Sequence, residues 1–356
     1  MVEFDHSLTK KHYVISKLSN KKYYSQLDLL TSKEKFNNLI LITEDGQWNN
    51  VDWTEPKETF KDLCFERCRQ LRDKYDWLTL YFSGGSDSET VLQSFIQSGI
   101  HLDEVVTNVF KVKDDDPPLP DVELAVSKLK AYSALRPKTK ITINNLSRDV
   151  FLKFNKKQMW IDSTFNGTIG NFRRTTLPVL KELGQDVILR HTNIGHIFAE
   201  TKPHLVKKDK GYYAYWGTPI GVGQWADWFF TSLDLPKLHV KQCHMVKNYF
   251  KKHNHTETNI LEVGEVREQI IRACRFDFNN DFQPIKTTGL INDYKNLHSE
   301  DGRVIAHLKK YDEELFNMYT DATVKSMVKG VSNKTLLDRK KGSLRKINSE
   351  MFFLGA

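Results

Sequence analysis

The chain has 356 residues and 39% hydrophobic content, enough to bury a full core, while its apolar runs are too short to span a membrane. Its four cysteines, Cys64, Cys68, Cys243 and Cys274, have neither the density of a disulfide framework nor a zinc spacing, so reduced thiols are expected. The formal net charge is +8, and the opening residues Met1–His6 lack the basic and apolar regions of a signal peptide, so a cytoplasmic protein is expected.

From Met1 to about Asn38 the sequence is polar and lysine-rich and carries no chemical signal. The apolar run Leu39–Thr43, the Asp45-Gly46 turn and the aromatic run Trp48–Trp53 then predict a β-hairpin, closed by Pro56. Phe60, Leu63, Cys64, Arg67, Leu71 and Tyr75 fall at helical spacing, with Cys64 and Cys68 both turned toward a core. Trp77–Phe82 is a short apolar and aromatic run and predicts a buried strand. A helix follows, marked by Val91, Leu92, Phe95 and Ile96 and stopped at Gly99.

Between that strand and that helix lie Ser83-Gly84-Gly85-Ser86-Asp87-Ser88. Two glycines let the main chain take left-handed angles and come close to a ligand. Ser86, Asp87 or Ser88 can cap the helix start, where N–H groups and the positive end of the dipole gather. Such a turn is suited to an anion, above all a phosphate. It is not a Walker loop, since it has no lysine to reach a γ-phosphate.

The pattern of alternating elements continues. Asp103–Phe110 predicts a second strand, Asp114–Pro120 a loop, Asp121–Leu135 a helix ended by Pro137, and Thr139–Ile143 a third strand. Strand and helix in alternation predict an α/β fold, an open parallel sheet with flanking helices and right-handed crossovers. Ligands in such a sheet sit beyond the carboxyl ends of the strands, where strand order reverses, and both the Ser83 loop and the strand end Asn108-Val109-Phe110 are expected there. Asp149–Trp160 reads as a helix, Arg173 and Arg174 open another, Val187–Leu189 reads as a strand, and Arg190–His196 as a polar turn at its carboxyl end. Arg173, Arg174, Arg190 and Lys202 are candidate phosphate ligands, because a pyrophosphate needs more cation than a glycine loop supplies. His191 and His196 are candidate substrate contacts or plain polar partners in that turn.

Beyond Trp216 the composition becomes aromatic, with Trp225, Trp228, Phe229 and Phe230 read as core, and helices are predicted at Lys237–Phe250, Asn259–Cys274 and Val304–Met318. A helical C-terminal region follows from them. Between Lys325 and Lys346 eight basic residues face the single acid Asp338, so a solvated tail or a contact to nucleic acid is expected of that segment.

The residues Ser83–Ser88 resemble the S-G-G-x-D-S signature of the PP-loop ATP pyrophosphatases, a HUP-like group also called adenine nucleotide alpha-hydrolase-like, in the strand-turn-helix setting that the signature requires. The resemblance implies that ATP binds with its terminal phosphates in Ser83, Gly84, Gly85, Ser86, Asp87 and Ser88, that Asn108, Val109 and Phe110 lie against adenine, and that Asp87 holds Mg2+. It further implies adenylylation of an acceptor with release of pyrophosphate, then displacement of AMP by an amine, ammonia or a sulfur nucleophile, with Asp87, Arg173 and Arg174 as the residues nearest the chemistry. An asparagine-synthetase-like glutaminase would need a cysteine after Met1, where Val2 stands. The phosphoadenosine-phosphosulfate reductase branch is loosely similar from Arg173 onward, but its C-terminal Glu-Cys-Gly-x-His nucleophile is missing, Cys243-His244 being the nearest pairing. A nucleotide-binding protein of the same fold without turnover is the other alternative. The expected organisation is an N-terminal extension with a hairpin over 1–58, a nucleotide-binding α/β domain over 59–202, and a mainly helical region with a basic tail over 203–356. The acceptor and the oligomeric state are not legible.

Overall fold

In a computed structural model the protein is described at residues 13–23, 38–110, 120–146, 193–199, 204–208, 210–217, 226–252 and 348–356. Strand β1 is Tyr13–Ser16, β2 Lys22–Tyr23 and β3 Leu39–Ile42, and these pair antiparallel in the order β2-β1-β3. Helix α1 spans Phe60–Lys74 and opens on a capping pair, Thr59 Oγ accepting from the Asp62 amide at 3.1 Å. Then come β4 at Trp77–Tyr81, α2 at Ser86–Ser98, β5 at Glu104–Phe110, α3 at Pro120–Leu135 and β6 at Lys140–Leu146. After them stand β7 at Ile194–Phe198, β8 at His204–Lys208, β9 at Gly211–Gly217, β10 at Ala226–Trp228, helix α4 at Pro236–Lys252 and β11 at Asn348–Gly355.

Five of these strands make a parallel sheet in the order β10-β7-β4-β5-β6, so the expected α/β sheet with flanking helices is present. Strands β4, β5 and β6 step one way across the sheet and β7 and β10 continue on the other side, so strand order reverses between β4 and β7. One face carries Leu78, Leu80, Val105 and Ile197 from the strands, and α1, α2 and α3 pack on it through Leu63, Leu71, Val91, Phe95 and Leu129. Cys64 and Cys68 are both buried in that core, as their spacing predicts. A three-stranded antiparallel sheet, β11-β9-β8, packs on α4 through Leu205, Ala214, Val246, Phe250 and Leu354. Helix α4 also gives Leu238 to the core of the parallel sheet and so joins the two sheets.

Two expectations are corrected. The hairpin at 39–53 is not formed: β3 is a strand, but Glu44–Asn50 is a 3-10 helix. The cause is Trp48, which the tight turn carries inward against Trp216 and His239 at centroid distances of 5.1 and 5.6 Å. Ile194, Gly195 and His196 do not form a polar turn but lie in β7, inside the sheet. Strand β7 comes close to Tyr75, where a Cβ on Gly195 would lie 2.5 Å from the Tyr75 ring, so a side chain there would have to push the strand away. The described part of 203–356 holds one helix and four strands, so strands share the C-terminal region with helix. The predicted segments 149–160, 187–189, 259–274, 304–318 and 325–346 lie outside the described residues. Among the described residues no helix is long and apolar enough to cross a membrane.

Candidate functional site

The apolar run that forms β4 ends at the carboxyl edge of the sheet, where the Phe82 amide donates to the Val106 carbonyl at 2.8 Å. The chain then leaves the sheet plane. Gly84 takes φ +73°, a left-handed angle that costs other residues about 1–2 kcal/mol. Gly85 is extended and stands at the cap of α2 with no side-chain cap, so the first turn of the helix is left to its own amides.

Two serines brace this turn. The Ser83 amide donates to Ser88 Oγ at 3.2 Å, and the Ser88 hydroxyl donates to the Gly85 carbonyl at 3.1 Å. The Gly85 amide in turn reaches Ser83 Oγ at 3.4 Å. Ser88 is thus buried inside the loop and holds its shape, whereas Ser83 is exposed at its mouth.

The charge at this helix start follows from the first turn, which contains Asp87 and Glu89. Glu89 is buried and answered by Lys128 of α3 at 3.1 Å, with Gln93 on its other oxygen at 3.2 Å. Asp87 is half-buried in the same turn. A phosphate set on these amides would gain from the dipole but meet the Asp87 carboxylate, and a divalent cation between them turns that repulsion into attraction. Among the described residues no group of three or more His, Cys, Asp or Glu could hold a metal alone, so such a cation would need phosphate oxygens and water to complete its shell.

Asn108, Val109 and Phe110 close β5, paired in register with Asn144, Asn145 and Leu146 of β6. Their main chain extends beyond Tyr81↔Val106, the last β4–β5 pair, and so flanks the loop on the β5 side. The reversal of strand order lies on the opposite flank, beside β7. There the row under the loop is aromatic: Tyr81 stacks on Phe198 at 4.3 Å, and Trp228 of β10 lies 6.0 Å from Phe198.

Tyr81 also meets His196, with its hydroxyl 3.2 Å from Nδ1. Burial pushes the Tyr81 hydroxyl well up, and burial pulls the His196 imidazole down to about 4 against the pull of Asp227. Both are therefore neutral near pH 7, and the imidazole tautomer decides which of the two donates. This pair is a fixed floor and not a proton relay.

No protein-family model matches the chain, and no curated protein is significantly similar to it.

Of the expected site residues, the structure brings Ser83–Ser88 and the strand end 108–110 to one edge of the sheet. Arg173, Arg174, Arg190, Lys202 and His191 lie outside the described residues. The aromatic row Tyr81, Phe198 and Trp228 was missed as part of this edge, because only the β4–β7–β10 pairing places the three together. Cys243, the nearest approach to a reductase nucleophile, is fully buried with its Sγ 3.5 Å from His239 Nε2, and burial pushes its thiol far up. A thiol in that state is not a nucleophile.

Proposed function

We propose that the protein is an ATP-dependent enzyme of the PP-loop ATP pyrophosphatase type, with a HUP-like nucleotide-binding domain, that transfers the adenylyl group of ATP to an acceptor and releases pyrophosphate. A nitrogen or sulfur nucleophile then displaces AMP. The observation that carries this reading is the loop Ser83–Ser88, which leaves the central strand of a parallel sheet with Gly84 left-handed and α2 uncapped by any side chain.

The role of each residue follows from that geometry. The amides of the α2 first turn would hold the terminal phosphates and offset the charge that grows on departing pyrophosphate, a fixed electrostatic contribution. Ser83 and Ser88 would keep those amides in position before nucleotide arrives. Asp87 would share Mg2+ with the phosphates, which explains a carboxylate at the start of an anion-binding helix. The main chain at Asn108, Val109 and Phe110 would line the adenine side of the loop. Arg173 and Arg174 remain the proposed source of further positive charge toward the α-phosphate. The buried state of Cys243 speaks against the sulfonucleotide-reductase alternative.

The test is product analysis. With α-labelled ATP, magnesium and a panel of amino-acid, nucleotide and nucleic-acid acceptors, AMP and pyrophosphate are expected, and Asp87→Ala abolishes both. ADP as the product would reject the mechanism, and tight binding with no product from any acceptor would favour a nucleotide-binding protein without turnover.

A further inference from the structure

Residues 51–58 join the 3-10 turn to α1 and are tied to helix α4 along the way. Lys241 donates to Glu55 and to the Pro56 carbonyl, both at 3.0 Å, while Asn248 reaches Glu55 at 3.3 Å and Lys237 reaches Glu58 at 2.7 Å. The remaining tie is His244, whose Nε2 lies 2.8 Å from the Trp53 carbonyl. The Trp53 ring is in turn stacked on Phe352 of β11, 4.3 Å away at 9°. This strap therefore holds α4 and β11 to the start of α1.

His244 is an unusual group for such a contact, since it is buried. A carbonyl can only accept, so Nε2 carries the proton and Nδ1 is bare. No hydrogen bond reaches Nδ1, and Glu55 Oε2 stands 3.8 Å from it. The charges that act on the ring are Glu55 of the strap and Lys241 and Lys247 of α4. Strand β11, packed on the same helix, brings the uncharged Phe352 ring and the Leu354 carbonyl, which Lys247 holds at 2.8 Å. A second proton on the ring would thus add a third cation around a single carboxylate whose two oxygens are already taken.

Burial pulls the His244 imidazole below its ordinary 6.5, and the push from the Trp53 carbonyl and Glu55 does not offset it. Burial also acts to raise Glu55, yet its bonds to Lys241 and Asn248 outweigh that and hold the carboxyl below its ordinary 4.5. From pH 6.5 down to 4.5 Glu55 stays ionised, and the proton goes to the ring. The docked ring binds that proton less well than a free one, so the strap is fully held above pH 6.5 and acid favours its release.

We propose that His244 is a pH-sensitive latch: the neutral ring holds the strap 51–58 on α4 through the Trp53 carbonyl, and protonation of the ring frees Trp53 from Phe352. The latch is independent of the nucleotide loop.

The Trp53 indole N–H, which donates to the Trp48 carbonyl at 3.3 Å, reports the release. Its hydrogen exchange can be followed by NMR on the full chain labelled with 15N-tryptophan, corrected for the intrinsic effect of pH on exchange. Protection should be constant above pH 6.5 and fall below it, approaching about tenfold per pH unit, the slope of one proton, while the amides of β4 keep theirs. His244→Gln, which can still donate to the Trp53 carbonyl but cannot titrate, should remove the fall. An NMR titration of the His244 ring checks the latch without a variant: the midpoint should lie below 6.5, with the neutral ring protonated on Nε2. The same pH dependence in His244→Gln as in wild type, loss of protection in β4 together with Trp53, or a ring midpoint at or above 6.5 would overturn the proposal.

Discussion

Gly84 is where the backbone of the candidate site is least replaceable. Alanine at φ +73° is expected to destabilise the protein by about 1 kcal/mol, read in a urea titration, and to weaken magnesium-ATP binding by more than that strain accounts for. Equal loss in both measurements would mean that Gly84 serves the fold alone. His196 makes a second prediction, in pH. Its folded value of about 4 lies below the ordinary 6.5, so between these values the unfolded chain holds a proton that the native protein does not. Stability is thus complete above pH 6.5 and falls as the pH drops toward 4, by about 3 kcal/mol for this residue at most. His196→Gln should flatten that decline, leaving the share of His239, which burial holds down to about 3. The loop residues were legible because a glycine pair between an apolar run and an amphipathic one has few other uses. The internal role of the Ser88 hydroxyl was not, since sequence cannot say whether a side chain turns toward its own loop or toward a ligand.

At the scale of elements, the fit between α1 and β10 rests on charge. Arg67 is fully buried and reaches Asp227 and Asp234, both at 3.3 Å, while Lys74 meets the same carboxylates at 3.5 and 3.2 Å. Burial pulls Asp234 up, yet Lys74 and Arg67 outweigh it and hold its carboxyl below the usual range. Removing the guanidinium leaves Asp227 buried with the half-exposed Lys74 and the Tyr75 hydroxyl, so Arg67→Met is expected to cost about 3 kcal/mol. Denaturant titration of Arg67→Met beside Arg67→Met/Asp227→Asn checks this: the double variant should recover part of the loss, and no recovery would contradict a charge effect. Elements with strong periodicity were legible, among them α1, α2, β4, β5 and α4. Strand β7 was not, because Ile194-Gly195-His196-Ile197-Phe198 mixes glycine and histidine into a strand that only its neighbours make apolar. The 3-10 turn at Glu44–Asn50 escaped for a similar reason, as its aspartate-glycine pair suits a hairpin and the distant His239 and Trp216 decide otherwise.

Across the whole molecule, what sequence could not supply is which strands meet. The reversal beside β4 depends on its pairing with β7, and the second sheet depends on β11 finding β9. Pairings so far apart in the chain leave no local trace. Helix α4 couples the two sheets, and the Lys247 ammonium donates to the Leu354 carbonyl at 2.8 Å to fix the last strand on it. Leu354→Ala is therefore expected to destabilise by about 3 kcal/mol in a thermal or urea titration, and a cost below about 1 kcal/mol would show that β11 is not part of the cooperative core. The central claim concerns the turn after β4, and hydrogen exchange tests it most directly. With saturating magnesium-ATP, the amides of residues 83–88 are predicted to slow strongly while those of β8 and β9 stay unchanged. ATP binding without protection at 83–88, or no binding at all, would contradict the account.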